Sequence, residues 1–97
     1  MYLIRDVFRC KPGKAGAVAE KFKRAISAQT EAAPRSWRVM VDAVAAYWTV
    51  VLETEVDDLA AYERQLQDYR TNPAMQEAMA GYLDEVEGGH REIYHLV

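Results

Sequence analysis

An α+β fold of ferredoxin-like β-α-β-β-α-β order, built on a four-stranded antiparallel sheet, is predicted for this chain by three observations. Period-two alternation of apolar and polar residues opens the chain, recurs twice in the middle and closes it. Two longer stretches between those segments carry apolar residues at helical spacing. Pro12-Gly13, Pro34, Asn72-Pro73 and Gly88-Gly89 fall at the joints. Two consecutive strand-helix-strand units in one sheet, joined by right-handed crossovers, place strands one and three side by side in the centre with both helices on one face. A chain of 97 residues is one domain's worth, so residues 1–97 are read as a single domain.

Taken in order, Tyr2, Ile4, Phe8 and Cys10 alternate with Leu3, Arg5, Val7 and Arg9, which is strand one. Lys11-Pro12-Gly13-Lys14 turns the chain. Val18, Phe22, Ala25 and Ile26 then form the stripe of a first helix, which is expected to stop before Pro34 because the residue preceding proline avoids the α region. Trp37, Val39 and Val41 alternate with Arg38, Met40 and Asp42 as strand two. Trp48, Val50 and Leu52 alternate with Tyr47, Thr49, Val51 and Glu53 as strand three. The break at residues 42–46 lacks Asn-Gly or Asp-Gly, which predicts a longer hairpin loop. Asp57 is the expected cap of a second helix bearing Leu59, Tyr62, Leu66 and Tyr69 on one face, with acidic residues in its first turn. Asn72-Pro73 reads as a fresh cap with proline at the first helical position, followed by Met75, Met79, Tyr82, Leu83 and Val86. Gly88-Gly89 is expected to end that helix in a left-handed cap, and Arg91 to Val97 to form strand four, with Ile93 and Val97 on one face and Tyr94 and Leu96 on the other.

Composition narrows the function classes. Apolar residues at 51% and charged residues at 28% are ordinary for a globular domain, and the whole chain is expected to be ordered. A formal net charge of -3 argues against a nucleic-acid partner, and Lys11, Lys14, Lys21, Lys23 and Arg24 read as a solvated helix face. Cys10 is the single cysteine, which leaves no intrachain disulfide and no cysteine-based zinc site and fits a reducing cytoplasm. Charge arrives at Arg5, too early for a signal-peptide core, and no apolar run approaches the length of a bilayer span, so no membrane role is expected.

The even-numbered faces of strands one and three, with Ile4, Phe8, Trp48, Val50 and Leu52, are the more apolar and are expected under the helices. The opposite face mixes Leu3, Val7, Met40, Val44, Tyr47 and Val51 with Arg5, Arg9, Arg38 and Glu53. That is too apolar to face water across a whole sheet, and a second copy is the simplest cover. A homodimer is therefore expected, with Leu3, Arg5, Val7, Met40, Val51 and Glu53 at its interface. Arg5 and Glu53 share that face on neighbouring strands and are expected to form an ion pair, with an anion site at Arg5 as the alternative.

The opening strand running into Lys11-Pro12-Gly13-Lys14, the strand Trp48-Thr49-Val50-Val51-Leu52-Glu53 leading into Asp57-Asp58-Leu59-Ala60-Ala61-Tyr62-Glu63, the Asn72-Pro73 break and the closing Arg91-Glu92-Ile93-Tyr94 together resemble the dimeric α+β barrel superfamily. The similarity is greatest to its NIPSNAP-like and antibiotic-biosynthesis-monooxygenase-like branches and covers essentially the full chain. The resemblance implies a dimer whose members range from cofactor-independent monooxygenases and haem-degrading enzymes to proteins without an assigned activity. Haem-degrading relatives carry an asparagine in strand one, a tryptophan at the end of strand three and a helical histidine. Here Asp6 and Thr54 or Glu55 stand at the first two positions and no histidine lies on a predicted helix, so that activity is not expected.

Among chemistry-bearing residues, Asp6 stands out, because it lies between Ile4 and Phe8 on the face assigned to the core. An ionised carboxylate there needs a hydrogen-bond partner or a cavity, which makes Asp6 the candidate acid or base, or alternatively a satisfied structural group. Trp48, Tyr62, Tyr69 and Tyr82 are candidate walls of a pocket for a planar ligand between sheet and helices, or plain core. His90 and His95 fall on opposite faces of one strand with no second ligand at useful spacing, so no metal and no cofactor is expected. Three functions follow. The first is a non-catalytic or small-ligand-binding dimer, the ligand aromatic or hydrophobic. The second is a cofactor-independent monooxygenase-like oxidoreductase acting on a bulky aromatic, with Asp6 as base, and a roomy cavity beside Asp6 would separate it from the first. The third is a protein-interaction module, marked by an apolar patch outside the dimer contact.

Overall fold

In the computed structural model, which describes residues 1–29 and 37–97, β1 (Tyr2–Cys10) runs through the middle of a four-stranded sheet. On one side it pairs with β3 (Thr49–Val56), which in turn pairs with β2 (Arg38–Val41). On the other side lies β4 (Val86–His95). Every pairing is antiparallel. The helices α1 (Ala15–Ser27), α2 (Leu59–Thr71) and α3 (Pro73–Ala78), followed by a single 3₁₀ turn at Tyr82–Asp84, pack on one face, as the alternation in β1 and β3 requires. Ile4, Asp6 and Cys10 from β1 and Val50, Thr54 and Val56 from β3 are buried under them.

Helix α1 begins after the Lys11–Lys14 turn, closed by the Lys14 amide donating to the Lys11 carbonyl at 3.0 Å. It buries Val18, Phe22 and Ala25, the stripe its sequence carries. The helix ends at Ser27, and the expected stop at Pro34 lies outside the described residues. Strands two and three are shifted from their sequence reading. Trp37 and Asp42 flank β2, Tyr47 and Trp48 belong to the hairpin loop, and β3 continues to Val56. The loop closes where the Asp42 amide donates to the Thr49 carbonyl and the Thr49 amide donates to Asp42 Oδ1 at 2.9 Å. Trp48 leaves that loop in a left-handed backbone conformation, φ 62°, which breaks the alternation it was assigned to.

The caps differ from expectation at one helix and agree at the next. Asp58, in extended backbone, caps α2 by accepting from the Ala61 amide at 2.8 Å. Asp57 is spent turning the chain out of β3, and the first turn of α2 carries no acid. Asn72 caps α3, accepting from the amides of Ala74 and Met75, with Pro73 at the first helical position. The other half of the Asn72 side chain donates to the Ala28 carbonyl at 2.8 Å, tying the end of α1 to the α2–α3 joint.

The closing segment departs furthest from its reading. The helix expected through Val86 stops at Ala78, and Gly81, φ 84°, supplies the left-handed turn that was assigned to Gly88-Gly89. Those two glycines lie inside β4, opposite Arg9 and Phe8, beside a register shift at Arg9–Cys10. Their role there is close approach and not chain reversal. A Cβ on Gly89 would sit 2.1 Å from the Val7 carbonyl oxygen.

Gly89→Ala is therefore expected to force β4 away from β1 and to destabilise the fold by about 3 kcal/mol in urea denaturation. Gly16→Ala, where a Cβ meets nothing within 4 Å in a helix, is expected to stabilise by about 0.5 kcal/mol.

Candidate functional site

The layer between helices and sheet does not close into one core. One buried cluster joins Cys10 and Val50 of the sheet to Val18, Phe22 and Ala25 of α1 and to Met79. A second joins Ile4 and Val56 to Tyr62 of α2. Asp6 stands in β1 between the strand residues of the two clusters, and a cavity of about 160 Å³ opens at that point. Its floor is Asp6, Phe8, Leu52 and Arg91 of the sheet. Phe22 and Ile26 of α1, Tyr62, Gln65 and Tyr69 of α2, and Met75 and Met79 form the walls, with Gln29 and Trp37 completing the rim of described residues. A cavity of about 150 Å³ is large enough to take one benzene ring.

Strand pairing makes the electrostatics of this floor. Asp6 of β1 lies directly opposite Arg91 of β4, and the Arg91 Nε donates to Asp6 Oδ1 at 2.5 Å. The carboxylate is thereby neutralised in a place where it is only 8% exposed. The Arg91 guanidinium also lies over the Tyr62 ring, 5.2 Å from its centroid. Burial and the neighbouring Asp6 carboxylate push the Tyr62 hydroxyl up to about 12. Burial, then the adjacent Tyr82 hydroxyl, raises Tyr69 as well. Cys10 is no nucleophile here: burial first, then Glu85, pushes its thiol up.

Four buried polar atoms of residues lining this cavity lack a partner at normal hydrogen-bond geometry: Gln29 Oε1, Trp37 Nε1, Gln65 Oε1 and Tyr62 Oη, the last lying beside the Asp6 carboxylate. An unanswered buried polar atom costs about 1–3 kcal/mol, so four on residues around one cavity are a costly concentration.

Of the residues singled out from sequence, Asp6, Tyr62 and Tyr69 meet at this cavity. Trp48 does not: it is 41% exposed at the end of the hairpin loop, because its left-handed backbone turns it off the β3 face. Tyr82 packs behind the cavity wall, its ring 6.3 Å from that of Phe22, because Gly81 turns the chain away before it. Trp37, Gln29, Gln65 and Arg91 were missed. Trp37 read as one more alternating strand residue, and the two glutamines carried no signal in the sequence that set them apart. Arg91 becomes legible only once the β1–β4 register is known. His90 and His95 lie on opposite faces of β4; His90 meets Glu92 at 3.0 Å and the His95 ring lies 4.6 Å from Tyr2. Among the described residues no group of three or more His, Cys, Asp or Glu is placed to hold a metal ion.

The opposite face of the sheet carries a row of alternating charge across all four strands: Arg38 of β2, Glu53 of β3, Arg5 of β1 and Glu92 of β4. Arg5 Nη1 donates to Glu53 Oε2 at 3.4 Å and Arg5 Nε lies 3.7 Å from Glu92, while Arg38 pairs with the other Glu53 oxygen. The pair expected between Arg5 and Glu53 is present, and it is part of a longer row. The next row is Met40, Val51, Val7 and His90, and Leu3 lies on the other side of the charges. Val44 and Tyr47, assigned to this face from sequence, stand in the hairpin loop and are almost fully exposed, because the loop takes residues that the alternation had given to strands.

Tyr62→Phe removes one of the unanswered polar atoms without changing the packing, and is expected to leave stability unchanged or raise it by up to about 1 kcal/mol. The pH dependence has a definite sign. Tyr62 keeps its proton in the folded chain up to about pH 12, whereas it ionises near its ordinary value of 10 once unfolded. Stability is thus full below pH 10 and falls as pH rises toward 12, and Tyr62→Phe is expected to flatten that fall in denaturation midpoints measured across the range.

No protein-family model matches the sequence, and no curated protein matches it. Solved structures do. A NIPSNAP family protein of Agrobacterium tumefaciens superposes with a TM-score of 0.83 at 11% identity, over 99% of this chain and 92% of that one. An uncharacterized NIPSNAP domain protein of Burkholderia xenovorans superposes with a TM-score of 0.76 at 13% identity, over 100% and 95%. An antibiotic-biosynthesis-monooxygenase-like protein of Chloroflexus aurantiacus follows at 0.72 and 16% identity, over 99% and 92%. Identities this low speak for architecture, and the superpositions extend over nearly the full length of both chains. The chain has the α+β fold of the NIPSNAP and antibiotic-biosynthesis-monooxygenase-like proteins.

Proposed function

We propose that this protein is a non-catalytic binder of a small, largely aromatic ligand held between helices and sheet, acting as a homodimer. The observation that supports it is the ring-sized cavity with four unanswered polar atoms around it. Its apolar lining, Phe8, Phe22, Leu52 and Met79, supplies the hydrophobic contact, and the polar atoms supply orientation. Removing Trp48 leaves Trp37 as the sole tryptophan. In a Trp48→Phe variant, titration with a single-ring aromatic is expected to change Trp37 emission saturably, and in Trp37→Phe the same titration is expected to leave Trp48 emission unchanged.

A second reading, a cofactor-independent monooxygenase-like enzyme with Asp6 as base, draws support from the same cavity, since Asp6 lines it. A volume of about 160 Å³ matches a single ring better than the bulky aromatic expected from sequence. The ion pair to Arg91 argues for a structural Asp6. Dioxygen uptake in the presence of phenolic substrates, abolished in Asp6→Asn while binding persists, would favour the enzyme; binding without uptake favours the binder.

The homodimer reading places the face of Leu3, Arg5, Val7, Met40, Val51 and Glu53 against its symmetry mate. The cost of breaking the charge row reports on that burial. Glu53 is buried, whereas Arg5 and Arg38 are 41% and 56% exposed in the single chain. With that face open to water, Glu53→Ala lets both arginines hydrate and is expected to cost about 1 kcal/mol or less. With a second copy over it, both are stranded and the cost rises to about 3 kcal/mol. A double-mutant cycle with Arg5→Ala, read beside sedimentation of the native chain, separates the two, and an 11.0 kDa monomer at micromolar concentration would overturn the dimer.

A further inference from the structure

We infer that the occupant of the cavity is an uncharged single-ring molecule bearing hydrogen-bonding groups on two of its edges; this rests on reading the cavity as a ligand site. Size sets the first part, since about 160 Å³ matches a single ring. Charge sets the second. Asp6 and Arg91 are the ionisable pair on the floor, and they neutralise each other at 2.5 Å. An anionic or cationic guest would enter an apolar space with no countercharge to meet it, unless it first broke that pair.

The unanswered atoms set the third. Tyr62 Oη and Gln65 Oε1 come from α2, one helical turn apart, so they share a face of that helix. Gln29 Oε1 follows α1 and Trp37 Nε1 precedes β2, so the other two come from separate parts of the chain. Two carbonyl oxygens, one hydroxyl and one indole N–H do not answer one another, since none of them makes a hydrogen bond to another. An unsubstituted hydrocarbon would leave all four unanswered. A ring with hydroxyl groups on separated positions can donate to the amide oxygens while accepting from the indole.

The test uses the full-length Trp48→Phe protein and four probes read by Trp37 emission: resorcinol, toluene, benzoate and 2-naphthol. Resorcinol is expected to bind at least about tenfold more tightly than any of the other three. Gln65→Met and Tyr62→Phe should each weaken resorcinol about tenfold and leave toluene unchanged or tighter, with urea midpoints at or above that of the parent protein. Toluene binding as tightly as resorcinol would overturn the polar part of the inference, benzoate its neutrality, and 2-naphthol its size, each leaving the cavity a ligand site. If no probe alters Trp37 emission, the unanswered atoms are met by water, and both the inference and the ligand-binding reading fall.

Discussion

Asp6 is the residue around which the rest of the molecule is arranged. A carboxylate in the middle of the central strand, on the face that packs against helices, cannot be left without a partner. Its neighbour in the pairing, Arg91, answers it from β4, and that answer depends on the β1–β4 register. The register in turn depends on Gly89, because any side chain there would meet the backbone of β1. A one-residue slip would turn Arg91 to the other face and leave Asp6 buried and alone. Sheet geometry, glycine placement and the buried charge are therefore one constraint.

That constraint also explains why the interior is divided. Apolar side chains flank Asp6 on both sides along β1, and each group gathers its own partners: Ile4 with Val56 and Tyr62, and Cys10 with α1. Neither cluster can extend across the polar residue, and the space between them becomes the cavity. Polar side chains from α2 and from either side of the α1–β2 connection face that space, and their groups stay unpaired. A chain selected for stability alone would fill such a gap with leucine or methionine. Retaining unpaired polar groups there lowers stability.

The outer face follows a different logic. Its four charged residues lie in one line across the strands, each meeting a partner of opposite sign on the next, with Met40, Val51 and Val7 on one side of the line and Leu3 on the other. Glu53 is buried beside the arginine side chains of its own sheet, so the row is complete within one chain. Self-paired charges of this kind let an apolar face be covered without leaving an uncompensated ion.

Much of the architecture could be read from the order of residues. Period-two and helical patterns located four strands and the helices, Asn72-Pro73 marked the joint between α2 and α3, and Asp6 was conspicuous because it breaks an apolar face. Arg5 and Glu53 could be matched because both central strands alternate strictly. These are local signals, carried by neighbours a few residues apart. The misreadings share a cause as well. Gly88-Gly89 has the composition of a helix cap, and only the closeness of β1 shows that it serves a strand. Trp48 alternates correctly on paper, but a left-handed backbone turns it outward, while Trp37, one residue outside β2, turns in. Arg91 meets Asp6 across 85 positions of sequence. The sequence by itself determined the elements and the one polar residue the core must accommodate. Which residues surround it was decided by tertiary structure alone, because contacts between distant segments depend on strand register and helix placement, and no periodicity within a segment encodes those.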